Sequence, residues 1–250
     1  MDLFTRVEGP ADAPPVLLIN SLGSTNDLWS QQVAAWSSHF RVIRYDMRGH
    51  GQSPAPDGEY SLADLGADAI RVLDSVGVAQ AHVCGISIGG LTTMWLGINR
   101  PERVGRLVIA NTAARVGTRE RWTERAAKVR AEGLGPIADL NMTTWFSEAF
   151  RAAQPAVIEK FHRMVAGNNP DGYVGCCAAL READLRDQLA AITAPSLVVA
   201  GAFDPTTPVA DAEFIRDQVP GSALLTLPAA HLSNVECAGM FSRLAGAFLQ

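Results

Sequence analysis

Val83-Cys84-Gly85-Ile86-Ser87-Ile88-Gly89-Gly90 decides how this chain is read. The apolar residues 81–83 before it have the character of a buried strand, and residues 91–99 after it that of a helix. Between them Gly85-x-Ser87-x-Gly89 has the spacing of a nucleophile elbow. So sharp a turn forces the serine into strained backbone angles. It also demands small residues two before and two after, where strand and helix nearly touch. The hydroxyl is then held clear of the fold at the positive end of a helix. A plain glycine-rich turn whose serine only caps the helix is the alternative. The flanking strand and helix favour the nucleophile.

Working outward, strand and helix alternate. Strands are expected at residues 2–8 (an edge), 16–19, 40–45, 81–83, 106–110, 196–200 and 223–227. Helices are expected at 28–36, after the capping-box pattern Ser61-Leu62-Ala63-Asp64, at 91–99 and at 209–218. A second such pattern, Ser233-Asn234-Val235-Glu236, is expected to open a final helix running to 248. Alternation of this kind predicts an α/β fold: a mostly parallel central sheet with helices on both faces. The rhythm breaks between 113 and 189, where only helical patterning is found, at 119–132, 136–150, 155–165 and 173–180. Residues 1–112 and 191–250 therefore read as the core, and 113–190 as a helical cap inserted before the strand at 196–200.

At 250 residues and 48% hydrophobic composition, one large domain with a sizeable core is expected. The net charge of −5 argues against general attraction to nucleic acid or to anionic membranes. The N-terminus lacks the basic start and apolar run of a signal peptide, and no stretch is long enough to cross a bilayer. Cys84, Cys176, Cys177 and Cys237 match no zinc spacing and are expected to be reduced thiols of a cytoplasmic protein. No His-Glu-x-x-His and no phosphate loop with its lysine is present, so neither metal nor cofactor is expected. Oligomeric state is not legible.

Sites on open parallel sheets collect at the carboxyl ends of the strands. Three polar residues fall there in the order Ser87, Asp204, His231, which is the order that accompanies an elbow serine. A serine hydroxyl needs a base near neutral pH. Histidine suits that role, and a carboxylate would fix its tautomer. Taken singly, Asp204-Pro205 also reads as a turn and His231 as a helix-start residue; their joint placement after strands favours chemistry. Among the other histidines His50 competes best, but its Arg-Gly-His-Gly setting suggests loop bracing. His39, His82 and His162 are less well placed. An oxyanion would be held by two backbone N–H groups, from Ile88 and from the loop after Ile19, with Leu22 the expected donor. Arg115, Arg119, Arg121, Arg125, Arg130 and Lys128 make the start of the insertion basic. Most read as a solvated helix face, although one turned into the cleft would suit an anion. Trp122, Met142, Trp145 and Phe146 read as core, or as an apolar wall of the site.

With Gly85-Ile86-Ser87-Ile88-Gly89-Gly90, residues 46–53 (DMRGHGQS), Gly201-Ala202-Phe203-Asp204 and His231 in view, the chain resembles the α/β-hydrolase superfamily over essentially its full length. More narrowly it resembles the 3-oxoadipate enol-lactonases of the β-ketoadipate route for aromatic breakdown. That likeness rests on residues 19–23 (INSLG), Trp29, Arg44-Tyr45-Asp46, 129–133 (VRAEG), Trp145-Phe146 and 230–236 (AHLSNVE). Where many members of the superfamily have His-Gly in the first oxyanion loop, this chain has Asn20-Ser21, as the lactonases do. The resemblance implies a Ser87–His231–Asp204 triad, an oxyanion hole from Leu22 and Ile88, a lid formed by the insertion, and opening of a small anionic lactone without a cofactor. It also implies a cap arginine for the substrate carboxylate, expected to be Arg130, and a ring contact, expected to be Trp145. Two rival readings remain: a carboxylesterase or perhydrolase of the same fold, and a ligand receptor built on a hydrolase scaffold.

Overall fold

The structure, a computed structural model, describes residues 1–250. In chain order the elements of the core are β1 (Thr5–Glu8), β2 (Pro15–Ile19), α1 (Ser30–Trp36), β3 (Arg41–Tyr45), α2 (Leu62–Ser75), β4 (Ala81–Ile86), α3 (Ile88–Asn99) and β5 (Val104–Ala110). Five helices follow: α4 (Arg119–Glu132), α5 (Gly135–Trp145), α6 (Glu148–Ala153), α7 (Pro155–Ala166) and α8 (Pro170–Glu182). The core resumes with β6 (Ser196–Gly201), α9 (Val209–Gln218), β7 (Ala223–Leu227), α10 (Ser233–Glu236) and α11 (Ala238–Leu249).

The seven strands form one sheet in the order β1-β3-β2-β4-β5-β6-β7. Only β1 runs antiparallel, pairing Thr5 with Tyr45 and Glu8 with Val42 at the edge. The central strands are apolar on both faces because both faces are covered. β6 is buried throughout, and Val16, Leu17, Leu18 and Ile19 of β2 have no exposure. The chain leaves β2 toward β3 and then returns to β4 on the other side of β2. Right-handed crossovers therefore place α1 on one face and α2, α3 and α9 on the other. α11 returns to pack against α1, and α2 packs against α3. This reversal of direction leaves a crevice at the carboxyl ends of β2 and β4, where a ligand site is expected on such a sheet.

Apart from shifts of up to three residues at the ends of elements, as at β1, β4, α3 and α8, the sequence reading differs from the structure in three local places. The helix expected at 28–36 starts as a tight turn, Asn26–Trp29, before α1. The helix expected over 136–150 is two helices, because Phe146 is extended and the Ser147 hydroxyl accepts from Phe150 N to start α6 anew. Ser233 and Glu236 do not form a capping box. They bond elsewhere, and the chain bends at Cys237 before α11. The Ser61–Asp64 capping box forms with both bonds in place, Asp64 N donating to Ser61 Oγ at 3.1 Å and Ser61 N to Asp64 Oδ2 at 2.9 Å. All four cysteines are unpaired, and no helix is long and apolar enough to cross a membrane.

Candidate active site

Ser87 sits between β4 and α3 with φ 60° and ψ −122°, the left-handed half of the map that a residue with a Cβ normally avoids. Its surroundings explain why the turn tolerates only glycine nearby. A Cβ on Gly85 would lie 2.1 Å from Gly89 O, and one on Gly89 would lie 2.2 Å from Ile19 O. The serine backbone is tied on both sides: Ser87 N donates to Ala110 O at 3.0 Å, and Thr112 Oγ1 donates to Ser87 O at 2.8 Å. Ile88 is the first residue of α3, so its N–H has no partner within the helix and faces outward with the positive end of the dipole.

The loop after β2 passes over this turn. Its conformation is held from three directions. Asn20 Nδ2 donates to Tyr45 O at 2.7 Å, Gly23 N donates to His50 Nε2 at 3.0 Å, and Asn168 Nδ2 donates to Gly23 O at 2.8 Å. His50 Nδ1 lies 3.1 Å from Arg48 O, so it carries the proton and leaves Nε2 to accept. Burial holds the His50 imidazole below its ordinary pKa, which keeps it neutral in this role. His50 thus braces the loop that carries Leu22. His82 accepts from Arg106 N at 2.9 Å, and His162 faces Asp139 on the surface.

Asp204 and His231 come from the loops after β6 and β7. These loops meet because Gly201 lacks a Cβ: one there would lie 2.2 Å from Ala230 O. Asp204 Oδ2 accepts from His231 Nδ1 at 2.7 Å, from Thr207 Oγ1 at 2.7 Å and from Asn111 Nδ2 at 3.1 Å. Oδ1 accepts from the N–H groups of Thr206 and Thr207. Both residues are buried, Asp204 to 5% exposure and His231 to 2%. Burial pushes the Asp204 carboxyl up, but the His231 charge and the hydrogen bonds from His231 and Thr207 outweigh it and leave it below the ordinary carboxylate value. With Nδ1–H given to the carboxylate, Nε2 of the imidazole is free to take a proton. Asn111 is the second residue outside glycine with positive φ, at 41°, and its amide also donates to Ala230 O at 3.2 Å.

Ser87, His231, Ser21, Leu22 and Thr206 face one small cleft, roofed by Trp122, Arg125, Asn141, Thr144, Trp145 and Tyr173 of the insertion. Its volume is about 30 Å³, room for two or so water molecules. Larger hollows lie elsewhere, one of them against α1 and α11, away from Ser87. Trp145, expected in the cleft, is there. Arg130, expected to reach a substrate carboxylate, is exposed and does not line it. Arg125 does. Its Nε donates to Tyr173 Oη at 2.9 Å, its Nη2 donates to Asn141 Oδ1, and its guanidinium lies over the Trp122 ring. The two arginines are five positions apart, which turns them about 140° from each other around a helix. The apolar stripe Trp122, Ala126, Val129 narrows the choice to the charges that flank it, Arg119 and Arg125, but does not decide between them. Asn111 and Tyr173 were also missed, since each acts through a contact across tens of residues; Thr207, three residues after Asp204, was missed because Asp204-Pro205-Thr206-Thr207 reads locally as a turn.

A hydroxyl on a strained strand–helix turn, an imidazole oriented by a buried carboxylate, and N–H donors beside them can carry out acyl transfer, and with the parallel sheet they define a hydrolase of α/β architecture. The chain belongs to the α/β hydrolase fold family, whose model matches residues 14–236. It is 46% identical over 228 residues to 3-oxoadipate enol-lactonase 2 of Acinetobacter baylyi, covering 91% of this chain and 85% of that enzyme. The crystal structure of the enol-lactonase from Burkholderia xenovorans LB400 superposes with a TM-score of 0.97 at 37% identity, covering 99% of this chain and 96% of that one. A malate-bound thermophilic esterase from Thermogutta terrifontis superposes with a TM-score of 0.94 at 27% identity, over 99% of this chain and 92% of that one.

Proposed function

We propose that this chain is a cytoplasmic serine hydrolase that opens 3-oxoadipate enol-lactone to 3-oxoadipate. The 2.7 Å bond between Asp204 and His231, in the cleft that Ser87 faces, carries the catalytic half of this reading. Likeness to enol-lactonases from two bacteria supports the substrate.

Ser87 Oγ attacks the lactone carbonyl as His231 Nε2 takes its proton. The carbonyl oxygen becomes an oxyanion between Leu22 N–H and Ile88 N–H, where preset dipoles stabilise the developing charge without reorganisation. Collapse of this intermediate breaks the ring C–O bond. The departing oxygen is an enol, a better leaving group than an alkoxide, and His231 returns the proton to it. Water, deprotonated by the same imidazole, then releases the acid from Ser87, and the enol becomes a ketone. No cofactor enters any of these steps. The substrate carboxylate that does not react pairs with Arg125, whose planar fork is oriented by Tyr173 and Asn141. Trp145 lies against the ring.

The decisive experiment compares kcat/KM for the enol-lactone with that for p-nitrophenyl acetate. A preference for the lactone of about 10³ or more is expected, because only the lactone engages Arg125. Equal or better turnover of the simple ester would make the protein a general esterase.

A further inference from the structure

Ser233-Asn234-Val235-Glu236 has the spacing of a helix cap, yet its two polar end residues are used otherwise. Ser233 Oγ donates to Asn111 Oδ1, and the Asn111 amide holds Asp204. Glu236 turns back toward the histidine. Its Oε2 accepts from Ala230 N at 3.0 Å and from Ser147 N at 3.1 Å, while its Oε1 accepts from Ser147 Oγ. On the other side of His231, Leu232 N donates to Trp145 O at 3.0 Å. The N–H groups before and after the imidazole are thus both held by the α5–α6 junction, one directly and one through Glu236. Neither belongs to the β-sheet ladder. The carbonyls of the same loop are held from the core side, Ala229 O by Phe203 N at 2.9 Å, Ala230 O by the Asn111 amide at 3.2 Å and Leu232 O by Val235 N at 2.9 Å, so the two N–H groups are its links to the insertion.

We infer that Glu236 is a positioning residue: it ties the junction at residues 145–147 to the loop of His231, so that the imidazole is aimed at Ser87 only while the insertion is seated. Charge-assisted bonds to backbone N–H groups are the strong kind, and the Glu236 carboxylate accepts two of them, from Ala230 and Ser147. Trp145 supplies both the carbonyl that holds Leu232 N and a ring lining the cleft. A molecule that presses on that ring therefore acts on the base through one residue. The inference rests on the proposed nucleophile and base, and does not depend on which ester is cleaved.

The test is the rate at which a fluorophosphonate probe labels Ser87, a step that needs His231 to take the serine proton but needs no lactone. Glu236→Ala is expected to slow labelling at least about tenfold, the scale that a misplaced catalytic group costs. Glu236→Gln is expected to stay within about threefold of the parent, because the amide oxygen can accept both N–H groups and its nitrogen can donate to Ser147 Oγ. Ser147→Pro removes both Ser147 donors without forcing the backbone: Ser147 has φ −63° and ψ 156°, and Phe146 before it is extended. It is expected to slow labelling as Glu236→Ala does, and it carries the same threshold where Glu236→Ala does not fold. Labelling of Glu236→Ala within tenfold of the parent, or a glutamine variant no better than the alanine one, would overturn the proposal. Normal labelling of the parent without lactone turnover would count against the substrate alone.

Discussion

Ser87 is legible from its neighbours because the geometry that makes it useful leaves a mark on them. Gly89 must be glycine for a reason outside its own helix, the Ile19 carbonyl 2.2 Å from where its Cβ would lie. Gly89→Ala should therefore cost activity by displacing the loop after β2, and a fall in melting temperature together with slower serine labelling would register it. Ser87→Ala should lower turnover by roughly 10⁴–10⁶ while leaving the fold intact, as loss of a triad nucleophile does. Asp204→Asn should cost about 10⁴, because the imidazole would lose the partner that fixes its tautomer. Arg125 shows where residue-level reading stops. A basic helix start offers six cations, and only packing decides which one turns inward. Arg125→Gln should raise KM for the anionic lactone by roughly 10–100-fold, as loss of a charged hydrogen bond would. It should leave p-nitrophenyl acetate hydrolysis within about threefold, whereas Arg130→Gln should leave both substrates within about threefold. Steady-state kinetics on both substrates separates the two arginines.

Among the elements, those whose ends are set by local chemistry were readable. α4 and α9 begin and end where the sequence pattern places them, and the Ser61 cap is complete. Breaks set by distant partners were not. Nothing in residues 136–150 announces that Ser147 will face a carboxylate 89 residues away, and the bend at 146–147 follows from that contact and from the Ser147 cap. The loop after β2 has a pH consequence. His50 is neutral in the fold and its pKa is lowered by burial, so below the ordinary value of 6.5 the unfolded chain takes up a proton that the folded chain resists. Stability then falls as pH drops, by at most about 1.4 kcal/mol per pH unit from this group. In His50→Gln the amide oxygen can accept from Gly23 N and its nitrogen can donate to Arg48 O. Urea unfolding above and below pH 6.5 should show a shallower acid slope for the variant, with activity retained.

For the molecule as a whole, a mostly parallel sheet with helices on both faces followed from the alternation of strand and helix. The inward side of the insertion did not, since helical periodicity alone does not say what a face will meet. The net charge is −5, yet the roof of the cleft carries Arg125, with Arg121 and Lys128 beside it on α4. An anionic substrate should be drawn toward this patch against the overall charge. Raising NaCl from about 0.02 to about 0.5 M should accordingly reduce kcat/KM for the lactone severalfold and leave the neutral ester unaffected. The chamber above Ser87, at about 30 Å³, is far smaller than a ligand pocket needs to be. Entry of the proposed lactone would therefore require part of the roof to rise. α8 is pinned, since Gly172 and Gly49 approach so closely that a Cβ on either would strike the other's backbone at 2.2 Å. α5 and α7 pack on each other beside the corner at Trp145 and Ser147, so an opening there would carry the two helices together. Turnover would then be paced by the movement of that helical pair and not by bond-breaking, and kcat should fall as glycerol raises the viscosity of the solvent.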